Sequence, residues 1–360
     1  MGKISKRKQK RYILPYIFLF FSIVTLIIAI YVKKNLDGNT TKFDEIGTAA
    51  LAAQQSVPMT RNIPDINELP EKTPEEFIEK EIEIEDLSEK IDLPFDLFAS
   101  SVYLYDLNSD KAIYTKNPEA KVAPASLTKL MTALLALEMV DDLDAKTMIF
   151  TEEMSEELYE YGLDISEIAT FNFKVGEEIS MRSALYILMM RSANDAANLI
   201  AYDLGGGSME TFVEMMNNKA KEIGANNTHF TNPHGLDNDE LYTTAYDMFL
   251  ITQHAMKNPE LLEIASSVFY SLPASNLREA MMIETVIAIN HPENPFYYDP
   301  NVIGIKTGFT DAAGKCLIST YQNEGKKYLL VLMNSPTGNG NPYGQFYAET
   351  STIFDWAYTK

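Results

Sequence analysis

Three short runs carry the side chains of a hydroxyl-based nucleophilic site. The first is Ser126-Leu127-Thr128-Lys129. Residues three apart share a helical face, so a Ser126 hydroxyl and a Lys129 amine can meet if a helix begins here. Serine attacks a carbonyl only when a neighbouring base takes its proton, and lysine serves once burial or nearby cations depress its pKa. A helix N-terminus adds backbone amides for negative charge developing beside Ser126. The second run, Ser192-Ala193-Asn194, puts a hydroxyl and an amide in a short turn between two helix-like segments. The third, Lys306-Thr307-Gly308, offers a cation, a hydroxyl donor and a glycine that lets another backbone run close to a strand. Each run alone is weak. Their order, at a helix start, a helix break and a strand end, points to one site.

The elements that must position these runs follow from pattern. Ser101–Tyr105 and Lys111–Tyr114 flank Asn108-Ser109-Asp110 and predict a two-stranded hairpin. Pro124 opens an apolar-periodic run from Ala125 to Val140, and proline is tolerated in a first helical turn. Helices are predicted over 181–191, 195–204, 209–223 and 244–256, with Gly205-Gly206-Gly207 ending the second. Val302–Lys306, Lys315–Tyr321 and Tyr328–Met333 read as strands, and Tyr347–Tyr358 as a closing helix. Strands, then helices, then strands and a helix predict an α+β domain around a largely antiparallel sheet. Asp195 reads as a cap for its helix, Cys316 as a buried and inert thiol, and His234 as a structural or cleft-lining residue. Met139, Met181, Met189, Met190, Met215 and Met216 read as core filler.

Composition narrows the function. The chain has 360 residues and a formal net charge of -21. Excess acid makes nucleic-acid binding an improbable main task. A single cysteine excludes an intramolecular disulfide framework and a cysteine-rich metal site. The four histidines contain no His-Glu-x-x-His spacing, which excludes a zincin.

The charge is unevenly spread. Residues 1–34 carry eight basic residues and no acid, whereas 35–97 carry 16 acids against 5 bases. Residues 13–32 are uncharged and apolar, enough for a helix of about 30 Å, the depth of a bilayer core. The basic cluster before them predicts a cytoplasmic N-terminus and an uncleaved single-pass membrane anchor, with everything after it outside. Residues 35–97, interrupted by prolines and rich in Glu and Lys, predict an extracellular stalk too polar to build a core. The folded domain is expected over 98–360.

Beyond the three runs, the sequence resembles the penicillin-recognising serine peptidases. It is most similar to the low-molecular-mass D-alanyl-D-alanine carboxypeptidases, also called penicillin-binding proteins. The resemblance rests on Pro124–Ala133, Arg191–Ala197 and Gly304–Thr310, with support from Asn232-Pro233-His234-Gly235-Leu236 and Thr243–Asp247. It covers roughly residues 98–360. It implies a β-lactamase/transpeptidase-like domain, an antiparallel sheet flanked by helices with a helical subdomain. It also implies that Ser126 attacks the penultimate D-alanine of a peptidoglycan stem peptide with Lys129 as general base. Ser192 and Lys306 would support the proton on the leaving amine, and Asn194 would hold substrate and orient Lys129. Backbone N–H groups of Ser126 and Phe309 would form the oxyanion hole, with Thr307 and Gly308 binding substrate. β-Lactams would acylate the same serine, and this mechanism calls for no metal or organic cofactor.

Some features depart from that pattern. No C-terminal sandwich domain or amphipathic anchor is seen before Lys360, so the N-terminal helix is expected to replace the latter. The last arginine is Arg278, and Gln345 stands where relatives often carry a basic residue for the substrate carboxylate. Lys306 or Lys315 would then serve that carboxylate, and an endopeptidase acting on crosslinked peptides becomes an alternative. Two others remain: a serine β-lactamase, which in one class needs a glutamate such as Glu156, Glu157 or Glu160, and a catalytically degenerate wall-peptide binder.

Overall fold

The computed structural model describes residues 93–159, 161, 168–337 and 344–360. The predicted anchor at 13–32 and nearly all of the predicted stalk lie outside the described residues. Among the described residues, no helix is long and apolar enough to cross a membrane.

The frame is a five-stranded antiparallel sheet. Strand β1 (Ser101–Asp106) forms a hairpin with β2 (Lys111–Lys116), and β1 pairs on its other side with β9 (Lys326–Ser335). Beyond β9 lie β8 (Gly314–Asn323) and then β7 (Val302–Thr310), giving the order β2-β1-β9-β8-β7. Strand β9 shows why the sheet is central. Leu329, Val331 and Met333 enter a core shared with most of the helices, while Tyr328, Leu330 and Leu332 enter a second core. Alternation by two faces both sets inward, because both faces of the sheet are covered. The second core is closed by α8 (Gln345–Tyr358), which packs Phe346, Ile353, Phe354 and Trp356 against the sheet.

The helical part is inserted between β2 and β7. Helix α1 (Lys129–Met139) follows a 3-10 turn, Ala125–Thr128. Then come β3 (Thr147–Ile149), α2 (Glu152–Tyr159), β4 (Glu178–Ser180), α3 (Met181–Arg191) and α4 (Asn194–Leu204). Helices α5 (Met209–Ile223), α6 (Ala245–Ala255) and α7 (Pro259–Ser266) complete it, followed by the hairpin β5 (Phe269–Leu272) and β6 (Met281–Glu284). The caps are local chemistry. Ser180, Ser208 and Thr244 each accept the N–H three residues on, and Gly224 leaves α5 in the left-handed conformation.

Most predicted elements are found in place, with corrections. The Pro124 segment does not open directly into an α-helix: Pro124 flanks the 3-10 turn, and regular hydrogen bonding starts only at Lys129. Strand β7 runs four residues past Lys306, because pairing of Gly308 with Cys316 and Phe309 with Lys315 outweighs the weak strand preference of glycine. Asp195 does not cap α4; that position falls to Ala193, and the Asp195 carboxylate instead accepts the N–H groups of Phe171, Phe173 and Ala196. Met139, at the last turn of α1, is 44% exposed and is not core, whereas Met181, Met189, Met190 and Met216 are buried. Cys316 is fully buried, which pushes its thiol up to about 12.

Candidate active site

Ser126 sits in the 3-10 turn and Lys129 one step later, where the turn becomes α1. Their spacing brings Lys129 Nζ to 2.8 Å from Ser126 Oγ. The same nitrogen donates to Asn194 Oδ1 at 2.6 Å and to the backbone oxygen of His234 at 2.7 Å. Lys129 is fully buried. Desolvation holds its amine well below the usual lysine range, the Lys306 charge adds to this, and Asp195 opposes it. Ala125, just before the nucleophile, is held at φ 47°. A left-handed alanine costs about 1–3 kcal/mol, so the surrounding packing must impose it.

That packing comes from the turn 232–236. Asn232 Oδ1 accepts the N–H groups of His234 and Gly235, and its amide donates to Leu236 O. Thr132 Oγ1 of α1 donates to Pro233 O at 2.6 Å. Gly235 has φ 90°, and a Cβ there would lie 1.8 Å from Ala125 O and 2.8 Å from Thr128 Oγ1. Only glycine allows this turn to lie directly against the nucleophile segment.

The second run stands at the junction of α3 and α4. Ser192 leaves α3 in the left-handed conformation, φ 57°, which reverses the chain before Asn194 opens α4. Lys306 approaches from β7, donating from Nζ to Ser192 Oγ at 2.8 Å and to Thr307 O at 2.7 Å. Burial lowers Lys306 to about 7. The strand is aimed by a shift in register between Gly304 and Lys306. Asn290 pins that shift, accepting from Gly304 N and donating to Gly304 O and Ala265 O.

The third run faces the first. A Cβ on Gly308 would meet Ser126 N, Pro124 O and Ala125 Cβ, each at 3.2 Å, so β7 passes against the nucleophile turn. Thr307 is half-buried beside it, and Phe309 is 45% exposed. Ser126, Lys129 and Asn194 therefore meet at one nitrogen, Ser192 and Lys306 at another, and residues 307–309 border Ser126. Lys315 lies across the sheet from Phe309, its Nζ 3.6 Å above that ring. Arg278 is far from this chemistry in role: it pairs with Glu177 and donates to Asn172 O.

Two contributors were not evident from sequence. Asn290 lies in no motif, and the backbone oxygen of His234 has no side-chain signature, although the run Asn232–Leu236 marks the turn that presents it. Among the described residues, no group of His, Cys, Asp or Glu side chains is arranged to hold a metal ion.

A buried lysine thus lies between a serine, an asparagine and a carbonyl, with a second lysine on the adjoining strand. Residues 88–337 match the peptidase S11 family, described as D-alanyl-D-alanine carboxypeptidase. The chain belongs to this family. It is a serine-type peptidase of the D-alanyl-D-alanine carboxypeptidase class, with the mixed helix-and-antiparallel-sheet fold of that class. The D-alanyl-D-alanine carboxypeptidase DacF of Bacillus subtilis is 29% identical over 73% of this chain and 62% of its own length. DacB2 of Mycobacterium tuberculosis, which carries the same enzyme name, is 30% identical over 70% of this chain and 80% of its own. Among solved structures, a D-alanyl-D-alanine carboxypeptidase from Mycobacterium tuberculosis matches with a TM-score of 0.64 at 27% identity. That match covers 76% of this chain and 95% of the other.

Proposed function

We propose that this family member removes the terminal D-alanine from peptidoglycan stem peptides through an acyl-enzyme on Ser126. The observation that carries the reading is the environment of Lys129 Nζ. As a neutral amine it has two N–H bonds, and two oxygens that can only accept, Asn194 Oδ1 and His234 O, take them. The lone pair is then left for the Ser126 hydroxyl at 2.8 Å. Desolvation favours that neutral form.

Ser126 Oγ adds to the carbonyl carbon of the penultimate D-alanine as Lys129 takes its proton. The resulting oxyanion is met by the N–H groups of Ser126 and Phe309. The C–N bond breaks as Lys306, through Ser192, gives a proton to the leaving nitrogen; D-alanine departs, and the proton that Lys129 took from Ser126 passes to Lys306, which leaves Lys129 neutral again. Water, deprotonated by Lys129, then hydrolyses the ester and returns Ser126. Thr307 and Gly308 hold the substrate along β7. A β-lactam opens on Ser126 by the same attack and stays as an ester. The basic N-terminus and the apolar run at 13–32 support placing this chemistry on the outer face of a cell membrane, where wall peptides are met.

The test is D-alanine release from a synthetic pentapeptide ending in D-Ala-D-Ala, using the detergent-solubilised full chain and Ser126→Ala. Release by the native chain and none by the variant supports the assignment. No release by folded native protein overturns it for this substrate, and cleavage of a crosslinked peptide dimer instead would make the enzyme an endopeptidase.

A further inference from the structure

We infer that Glu157 of α2 is a positioning residue for Lys129, holding both of that lysine's acceptors from behind the site. The inference rests on reading Ser126 and Lys129 as the acylating pair. One acceptor, Asn194, is a side chain on α4; the other, His234 O, is backbone on the 232–236 turn. A base aimed by two acceptors from separate elements is only as well placed as those elements are relative to each other.

Glu157 joins them. Its carboxylate accepts from Asn198 Nδ2 at 2.5 Å, and Asn198 lies one helical turn after Asn194 on α4. The same oxygen, Oε2, lies 3.5 Å from Nε2 of His234. The His234 ring is fully buried, and its Nδ1 accepts the Leu236 N–H at 3.2 Å. In the neutral ring the proton must therefore sit on Nε2, facing the carboxylate. At 3.5 Å this contact is electrostatic more than a full hydrogen bond. Tyr161 seats the ring from another side, edge-on at 5.1 Å, and its hydroxyl donates to Glu157 Oε1 at 3.4 Å. Glu157 does not reach Ser126 itself. It fixes the His234 ring, the ring's peptide carries the carbonyl, and the carbonyl accepts a hydrogen bond from the base.

The chemistry demands a carboxylate in particular. Asn198 Nδ2 and His234 Nε2 are both donors converging on one group, and an ionised carboxylate is acceptor-only. Because both donors meet at the one oxygen Oε2, glutamine at 157 could place its carbonyl oxygen there, but it would remove the negative charge facing His234 Nε2 and set an NH2 where Oε1 accepts the Tyr161 hydroxyl. The test compares native full chain, Glu157→Gln, Glu157→Asp and Ser126→Ala in detergent. The readouts are acylation by a fluorescent penicillin, kcat and KM for D-alanine release, and thermal unfolding. E157Q is expected to slow acylation and kcat about tenfold with KM within twofold and a thermal midpoint close to native. E157D, which keeps both acceptors on a shorter arm, is expected to lose less. It is read by the same criterion should E157Q fail to fold. Native rates in these variants, or a loss accounted for by the unfolded fraction or by KM alone, would overturn the inference. A native chain that neither acylates nor releases D-alanine would instead sink the assignment of Ser126 and Lys129, and this inference with it.

Discussion

At the scale of single residues, the site is a pair of buried lysines whose protons are held differently. Lys129 is surrounded by acceptors, and desolvation holds its pKa well below the usual lysine range; Lys306 is lowered to about 7. Acylation needs neutral Lys129, so its rate rises with pH through that residue's depressed pKa. Donation to the leaving amine needs protonated Lys306, so D-alanine release falls as pH passes about 7. Lys306→Arg keeps its charge to above pH 12. Its release rate is expected to be lower overall, but the alkaline fall should disappear below about pH 10; an unchanged alkaline limb would remove Lys306 as its source. The same shift bears on stability. Unfolded, Lys306 holds its proton to about pH 10.4, while the folded chain gives it up near 7. Between those values the unfolded state binds more protons, so this residue's contribution to stability rises with pH and is poorest below about 7. Lys306→Met, inactive, is expected to be more stable than native by about 1–4 kcal/mol at pH 6 and nearly equal at pH 10. Denaturant unfolding at the two pH values measures this.

At the scale of elements, what the sequence made legible was chemistry tied to short spacing. Ser126 and Lys129 are three residues apart, and the break between 191 and 194 is marked by Ser192-Ala193-Asn194, so both sites could be found without tertiary structure. The strands β3, β4, β5 and β6 have only three or four residues each, too few for a period to show. The supports of the site were illegible for another reason: Glu157, His234 and Asn290 act through partners distant in sequence, and spacing says nothing of such contacts. The β5–β6 hairpin, which takes no part in the site, shows the same limit. Arg278, notable in sequence only as the last arginine, donates to both oxygens of the Glu177 carboxylate and lies 4.6 Å over Phe171. Nearby, Ser275 also donates to Glu177, and Asn276 bridges Gly176 and Glu178. The Glu177 side chain is fully buried, so Arg278→Ala strands a charge and is expected to cost about 3 kcal/mol. For a domain of this size that is a fall of roughly 6–10 °C in midpoint, read by thermal unfolding; a fall under 2 °C would show the latch to be idle. Gly235→Ala tests the site itself. Its methyl would overlap Ala125 O at a positive φ, so the 3-10 turn must move. Penicillin acylation should be lost in whatever fraction folds, and a folded variant that acylates at the native rate would refute that coupling.

At the scale of the whole molecule, charge and hydropathy divide the chain along its length. The first 34 residues carry only positive charge, the next 63 are strongly acidic, and the described domain follows. The six Lys and Arg residues that precede the apolar run of 20 would keep the N-terminus on the cytoplasmic side, because moving them across the bilayer is costly. An acidic stretch at this place would suit a spacer, since so polar a segment has little apolar area to bury. This arrangement predicts that the full chain sediments with membranes and resists extraction by high salt, since hydrophobic insertion is not screened as surface charge is. Deleting residues 1–34 should release the protein into the soluble fraction. It should leave acylation of Ser126 unchanged, because every group that positions Lys129 lies between residues 125 and 236. In intact cells, protease added outside should cut the chain within 35–97 and free the catalytic domain. Protection of that segment, or a full chain extracted by salt alone, would overturn the anchored topology while leaving the site as described.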